Sequence, residues 1–274
     1  MSPILPTARV PAPEIRDAIQ GAARRTGVSF DYLVRQAEAE SGFDRTARAA
    51  TSSATGLYQF IDATWLAMIR THGAKYGQEA AAHALESGPP DPALRARVLA
   101  LREDPALAAA MAAEYARSNQ DRLRVALGRE PDATDLYLAH FLGPAGAERF
   151  LRARATEGAA AAAALLPEAA AANRAVFYAS DGRPRSLDEV HDRFARRFAG
   201  LPPPTQAPPA LRAAAARGEP AAPDAAMAPS RARALDIRVE LLQALDAKVP
   251  APLTILALAA LDPPRGPGRD GKRG

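Results

Sequence analysis

Apolar side chains recur at every third or fourth position through most of the chain before the Pro-rich stretch that opens at Leu201. That spacing lines one face of an α-helix, and no stretch alternates as a half-buried strand would. The chain is therefore expected to be all-α, or mainly so. Ile15, Ala18, Ile19, Ala22 and Ala23 mark a first helix after Pro11-Ala12-Pro13, closed at Gly27. Ser29 is placed to cap a second helix and Gly42 to end it. Asp62 is expected to cap a third, which buries Trp65, Leu66 and Ile69 and stops at Gly73. A helix and a Pro-rich turn are expected over 74–90, and a short helix over 94–101. Asp104-Pro105 opens a long helix with Leu107, Met111 and Tyr115 on one side; residues 121–127 continue helical up to Gly128. Asp132 or Thr134 caps a helix that ends at Leu142-Gly143, and another follows over 145–154. The Ala-rich stretch 158–173 reads as helical, and Leu187, Val190, Phe194 and Phe198 define a last amphipathic helix of the compact unit.

The 274 residues suffice for one sizeable core and a smaller appendage. A compact domain is expected over 12–200, with its core in 25–155, followed by a Pro/Ala-rich linker over 201–229. Leu235, Val239, Leu242 and Leu245 then form an apolar stripe within a helical segment, 230–261, suited to docking on the domain or on a protein partner. Residues 262–274 read as a flexible basic tail. No stretch approaches the length of a membrane span.

The chain has no cysteine, which removes disulfides and Cys-ligated metals. His72, His83, His140 and His191 are not spaced as metal ligands, so no metal and no cofactor are expected. A net charge of +4 and a pI near 9.7 favour weak attraction to an acidic polymer. Nucleic acid is not expected to be that polymer, because the arginines are scattered through Ala-rich helices and not clustered with aromatics.

Glu40 stands out chemically. On a helix it lies about 20° around the axis from Leu33, on the same side as Ala37, whereas Glu38 lies about 140° away and should face water. A carboxyl group among apolar neighbours is favoured in its protonated form, the form a general acid needs. The alternative is an ion pair with Arg35 or Arg45. A loop of small residues follows, Thr51-Ser52-Ser53-Ala54-Thr55-Gly56, leading into Leu57-Tyr58-Gln59-Phe60. Asp44 and Asp62 are the nearest candidates for a second acid. Asp44 follows a glycine stop that leaves it unplaced, and Asp62 is better explained as a cap.

Glu40-Ser41-Gly42-Phe43-Asp44, then Ala54-Thr55-Gly56-Leu57-Tyr58-Gln59-Phe60, then Ala139-His140-Phe141-Leu142-Gly143-Pro144 resemble, in order and spacing, three motifs of the soluble lytic transglycosylase domain, a goose-lysozyme-like family. The likeness covers about residues 25 to 150. It is greatest to alphaproteobacterial members associated with flagella or secretion machines. The resemblance implies a lysozyme-like helical domain with a substrate groove and a small hairpin after Glu40. It implies cleavage of peptidoglycan glycan strands at the MurNAc–GlcNAc β-1,4 bond, giving a 1,6-anhydro end, with Glu40 as acid and then base. A goose-type hydrolase and a non-catalytic assembly adaptor are the alternatives.

On the same resemblance Ser41 would orient Glu40, while Ser53, Gly56, Tyr58 and Gln59 would shape the sugar subsites. Gly56 would let the backbone approach the glycan closely. The family has Tyr-Asn where this chain has His140-Phe141. His140 is open to a role as donor to the sugar or to Glu40, or to a structural one. Tyr137, one turn earlier, is placed to supply a hydroxyl, and Phe141 reads as core. A periplasmic location is expected from the substrate, although Met1 to Pro13 contains no basic start followed by a long apolar run.

Overall fold

The computed structural model describes residues 10–201, apart from Thr51 and Ala199. The linker beyond Leu201, the helical segment over 230–261 and the basic tail expected from the sequence lie outside the described residues. Within them the chain is mostly helical and forms no sheet.

The helix ends follow local chemistry. Helix α1 (Pro13–Thr26) starts on a proline, which gives up no needed N–H there, and ends where Gly27 turns left-handed at φ 78°. Helix α2 (Phe30–Ser41) is capped by Ser29, whose hydroxyl accepts the Tyr32 N–H at 3.4 Å, and is closed by Gly42 at φ 60°. The start of α3 (Asp62–His72) differs from expectation. Ile61 holds the cap position, and the Ser53 hydroxyl accepts the Asp62 N–H at 3.2 Å. The Asp62 carboxylate is committed to Arg95 at 2.7 Å and Arg102 at 2.9 Å. Nor does Gly73 stop the chain's helical course: a 3-10 turn runs over Gly73–Tyr76 and the left-handed residue is Gly77.

Helices α4 (Glu79–Glu86) and α5 (Pro92–Ala100) follow, the second capped by Asp91, and a 3-10 turn over Leu101–Glu103 leads to α6 (Pro105–Leu127). As expected, the helix that opens at Pro105 continues through residues 121–127 and stops at Gly128. Helix α7 (Ala133–Glu157) opens with reciprocal 2.9 Å bonds between Asp132 and Asp135, each carboxylate accepting the other's N–H. Gly143 leaves helical geometry at φ 73°, ψ 159°, and Pro144 offers no N–H to the carbonyl one turn back, that of His140. The break sets the Ala133–Leu142 half at its own angle. Short helices α8 (Ala162–Leu165), α9 (Pro167–Ala172) and α10 (Arg174–Phe177) replace the single Ala-rich helix, and α11 (Leu187–Phe198) closes the described region.

The centre of the molecule is α6, with α1 along one side and α7 along another. Ala108, Ala109, Ala110, Ala112 and Ala113 are all buried, and such small side chains let the neighbouring backbones come close. Helix α11 lies on α7, where Phe194 meets Phe141 at 5.1 Å and Tyr137 at 5.5 Å between ring centroids. All four apolar residues expected on α11 are buried, as are Trp65 and Phe141. No helix among the described residues is long and apolar enough to cross a membrane.

A buried ion-pair knot ties α6 to the end of α3. Glu114 accepts from Lys75 at 3.1 Å and Tyr76 at 3.0 Å, and lies 3.3 Å from Arg117 and 3.7 Å from His72. Burial alone pushes the Glu114 carboxyl up, but His72, Lys75 and Arg117 outweigh it and hold it below the ordinary range. A depressed folded-state value stabilises fully above the unfolded carboxyl range, near pH ~4.3, and loses that contribution as pH falls through the lower folded value. Glu114→Gln should therefore be destabilised at pH 7, with its gap from wild type shrinking on acidification. Urea denaturation from pH 7 to 3 checks this, and a gap independent of pH would refute it. Phe194→Ala should lose roughly 3–5 kcal/mol in the same assay, the usual cost of emptying a buried aromatic site.

Candidate active site

Helix α2 buries one face, Tyr32, Leu33, Gln36, Ala37 and Glu40, against the core. The angular prediction for the two glutamates holds. Glu38 is half-exposed and binds Arg35 at 3.0 Å, whereas the Glu40 side chain is wholly covered, 0% exposed. Arg45 turns instead to the Glu103 carbonyl, so neither arginine considered as a partner meets Glu40.

What Glu40 meets comes from α7. His140 Nε2 lies 3.3 Å from Glu40 Oε1, with the imidazole 5% exposed. Tyr137 stacks obliquely beside His140, 6.0 Å between centroids. Burial first, and then the Glu40 carboxylate, push the Tyr137 phenol well above its ordinary range; the same two causes in the same order act on Tyr32. Aromatic contacts close the surroundings: Tyr115 sets its edge to His140 at 6.3 Å, and Phe198 packs on Tyr137 at 4.8 Å and Tyr32 at 5.9 Å. The result is a carboxyl group held between two helices by an imidazole and phenols.

The loop between α2 and α3 is fastened to the same helix. The Ser41 hydroxyl donates to the Leu57 carbonyl at 2.9 Å and lies 3.2 Å from that of Ala37. Tyr58 is fully buried and its hydroxyl donates to the Leu33 carbonyl at 3.1 Å. These contacts correct two expectations. Ser41 is tied to backbone carbonyls and makes no hydrogen bond to Glu40, and Tyr58 belongs to the core and not to a groove wall. Gln59 is buried too, its amide donating to the Ala47 and Gly56 carbonyls at 3.0 and 2.9 Å, so it orders the loop. In place of a hairpin there are isolated bridges, Arg48 with Thr55 and Thr55 with Phe60.

Gly56 is needed for a different close approach from the one expected. At φ 86°, a β-carbon there would sit 2.3 Å from the Arg102 carbonyl oxygen, so the neighbour that requires glycine is protein. Arg102 itself was not legible as a site residue. Its guanidinium reaches under the loop to the carbonyls of Ser53 at 2.7 Å and Phe60 at 3.0 Å, and to the Asp62 carboxylate. A buried arginine in a three-residue 3-10 turn leaves no periodic signal, so only the tertiary structure reveals it. The Ser53 side chain is exposed at the loop, with its hydroxyl on the Asp62 N–H.

Two backbone positions are strained. Phe43 at φ 71° and Gln59 at φ 48° are the non-glycine residues in left-handed conformation among those described, and they bracket this loop. Each such residue costs on the order of 1–3 kcal/mol and persists only where its surroundings hold it. Neither candidate second acid joins Glu40. Asp44 is exposed and accepts from the Thr46 N–H and hydroxyl, both at 2.8 Å, which holds its carboxyl below the usual range; Asp62 is bound by the two arginines.

The sequence matches no protein-family model. Gly56→Ala should destabilise the protein more than an ordinary Gly→Ala change, by about 1–3 kcal/mol or more from the left-handed backbone alone. Urea denaturation measures it, and a neutral effect would mean that the Arg102 contact yields freely.

Proposed function

We propose that this chain is a peptidoglycan lytic transglycosylase, cutting the MurNAc–GlcNAc β-1,4 bond with Glu40 as the acid and then the base. The observation that carries the reading is convergence. The third segment that resembles a family motif is far from the first in sequence, yet Glu40 meets His140, and across the short loop to the second segment Ser41 binds Leu57. A chance likeness of short motifs gives no reason for them to touch around a buried carboxyl group. Backbone strain at Phe43 and Gln59, on either side of the loop that Ser41 fastens, fits a site held in a set geometry.

Glycoside cleavage needs a proton on the leaving oxygen and relief for the cationic sugar carbon. With Asp44 and Asp62 engaged elsewhere, a scheme using one protein carboxyl group fits better than a paired-acid one. Protonated Glu40 gives its proton to the glycosidic oxygen as the C1–O bond breaks, and the bond pair stays with that oxygen. The muramic acetamido group shares the positive charge. The same sugar's 6-hydroxyl oxygen then bonds C1 and returns its proton to the Glu40 carboxylate. No water is consumed. The carboxyl group is fully covered in this form, so the glycan has to open part of that cover to reach it. This substrate would place the protein in the periplasm.

The same covered carboxyl group favours a second reading, a wall-binding adaptor for flagellar or secretion assembly without turnover. One digestion separates the readings. Purified peptidoglycan incubated with the protein should release muropeptides with anhydro ends, identified by mass, and Glu40→Gln should lower the rate at least about 100-fold. Products heavier by one water would indicate a goose-type hydrolase. Binding with no release would favour the adaptor, and full activity in Glu40→Gln would exclude Glu40 as the acid.

A further inference from the structure

We propose that His140 shares with Glu40 the one proton that the reaction uses, so that the working acid is the pair and not the carboxyl group alone. This rests on the glycan-cleaving reading above. Nε2 and Oε1 are 3.3 Å apart, and both side chains are almost completely removed from water. Neither imidazole nitrogen and neither carboxyl oxygen has a hydrogen-bond partner among the described residues, so the 3.3 Å approach is a close contact and not a formed hydrogen bond; the Tyr137 phenol also acts on Glu40.

The charge balance of such a pair is restrictive. With one titratable proton it is neutral, as carboxylic acid and imidazole, or internally neutralised, as carboxylate and imidazolium. Losing that proton leaves a bare carboxylate in a dry site, and adding a second leaves a bare imidazolium. Both are penalised by desolvation. The groups around the pair do not replace either member. Tyr32 of α2 and Tyr137 of α7 are held in their phenol form by burial, and Tyr115 of α6 presents its ring edge. Arg197 of α11 acts on the Tyr137 phenol.

Each turnover is balanced within this unit. The pair's proton passes through Glu40 to the glycosidic oxygen, leaving carboxylate and neutral imidazole. The proton lost by the 6-hydroxyl as its oxygen bonds C1 comes back through Glu40 and settles on either member. No second acid is required.

The test uses the full chain in two measurements. First, the protein is labelled with nitrogen-15 histidine, and the His140 signals are assigned by their loss in His140→Gln. Glu40→Gln should shift the His140 ring-nitrogen resonances and their pH response, leaving those of His72, His83 and His191 in place. Unchanged His140 signals would overturn the proposal, whatever the enzyme's substrate. Second, rates of muropeptide release are followed against pH. His140→Gln should lose about 100-fold in kcat with little change in KM, and the shape of its pH profile should differ from that of wild type. Profiles that superimpose after scaling, with an equal loss of urea stability, would make His140 a packing residue and overturn the proposal. If His140 responds to Glu40→Gln but wild-type protein releases no muropeptide, the peptidoglycan reading fails and the catalytic use of the pair fails with it.

Discussion

Holding the Glu40 carboxyl group away from water is the constraint on which the rest of this structure turns. A lone carboxylate in such a place costs several kcal/mol even after the protein relaxes. The fold sets the His140 imidazole 3.3 Å from it, with the Tyr32 and Tyr137 phenols nearby. His140 and Tyr137 come from the half of α7 that precedes its break at Gly143-Pro144. They stay in place because Phe194 and Phe198 of α11 press on Tyr137 from the other side. The last amphipathic helix expected for the compact unit thereby packs on a neighbour of the buried acid.

The loop between α2 and α3 solves a second problem. It carries strained residues at both ends, and strain of that kind relaxes unless it is overdetermined. Three devices overdetermine it. Ser41 and Tyr58 bond it to α2, the Gln59 amide ties it to itself, and Arg102 binds it from beneath while its own carbonyl fills the space above Gly56. The small residues of this loop thus serve the protein's internal fit. A wall of exposed sugar-binding side chains does not follow from them.

How much of this was legible in the sequence depended on the range of the interaction. Helix ends were readable because Ser29, Gly42, Gly128 and Asp132 act on their own neighbours, although Asp132 and Thr134 stood as alternatives. The facing of Glu38 and Glu40 was readable because it needs only the helical repeat. Asp62 misled because a carboxylate near a helix start suits a cap equally well as an ion pair, and the deciding arginines lie about 30 to 40 residues away. Gly56 misled for a related reason: sequence shows that backbone must come close to something, but not what. Arg102 was invisible because nothing local distinguishes a buried arginine from a solvated one. The pairing of Glu40 with His140 was open as one of several roles, and distance selected it.

His140 and Phe141, which stand where the proposed family's motif reads Tyr-Asn, serve two different faces of α7. Phe141 is buried against Phe194, where an amide would need partners that an aromatic face cannot give. His140, one residue back and so about 100° around the helix, faces Glu40 in place of that core. Hydrogen-bonding capacity is removed on one side and titratable capacity added on the other. An imidazole does what an uncharged phenol or amide cannot: it can accept the proton of a carboxyl group beside it. In a site that offers no second acid near the first, that difference bears directly on how a single carboxyl group stays ready to act.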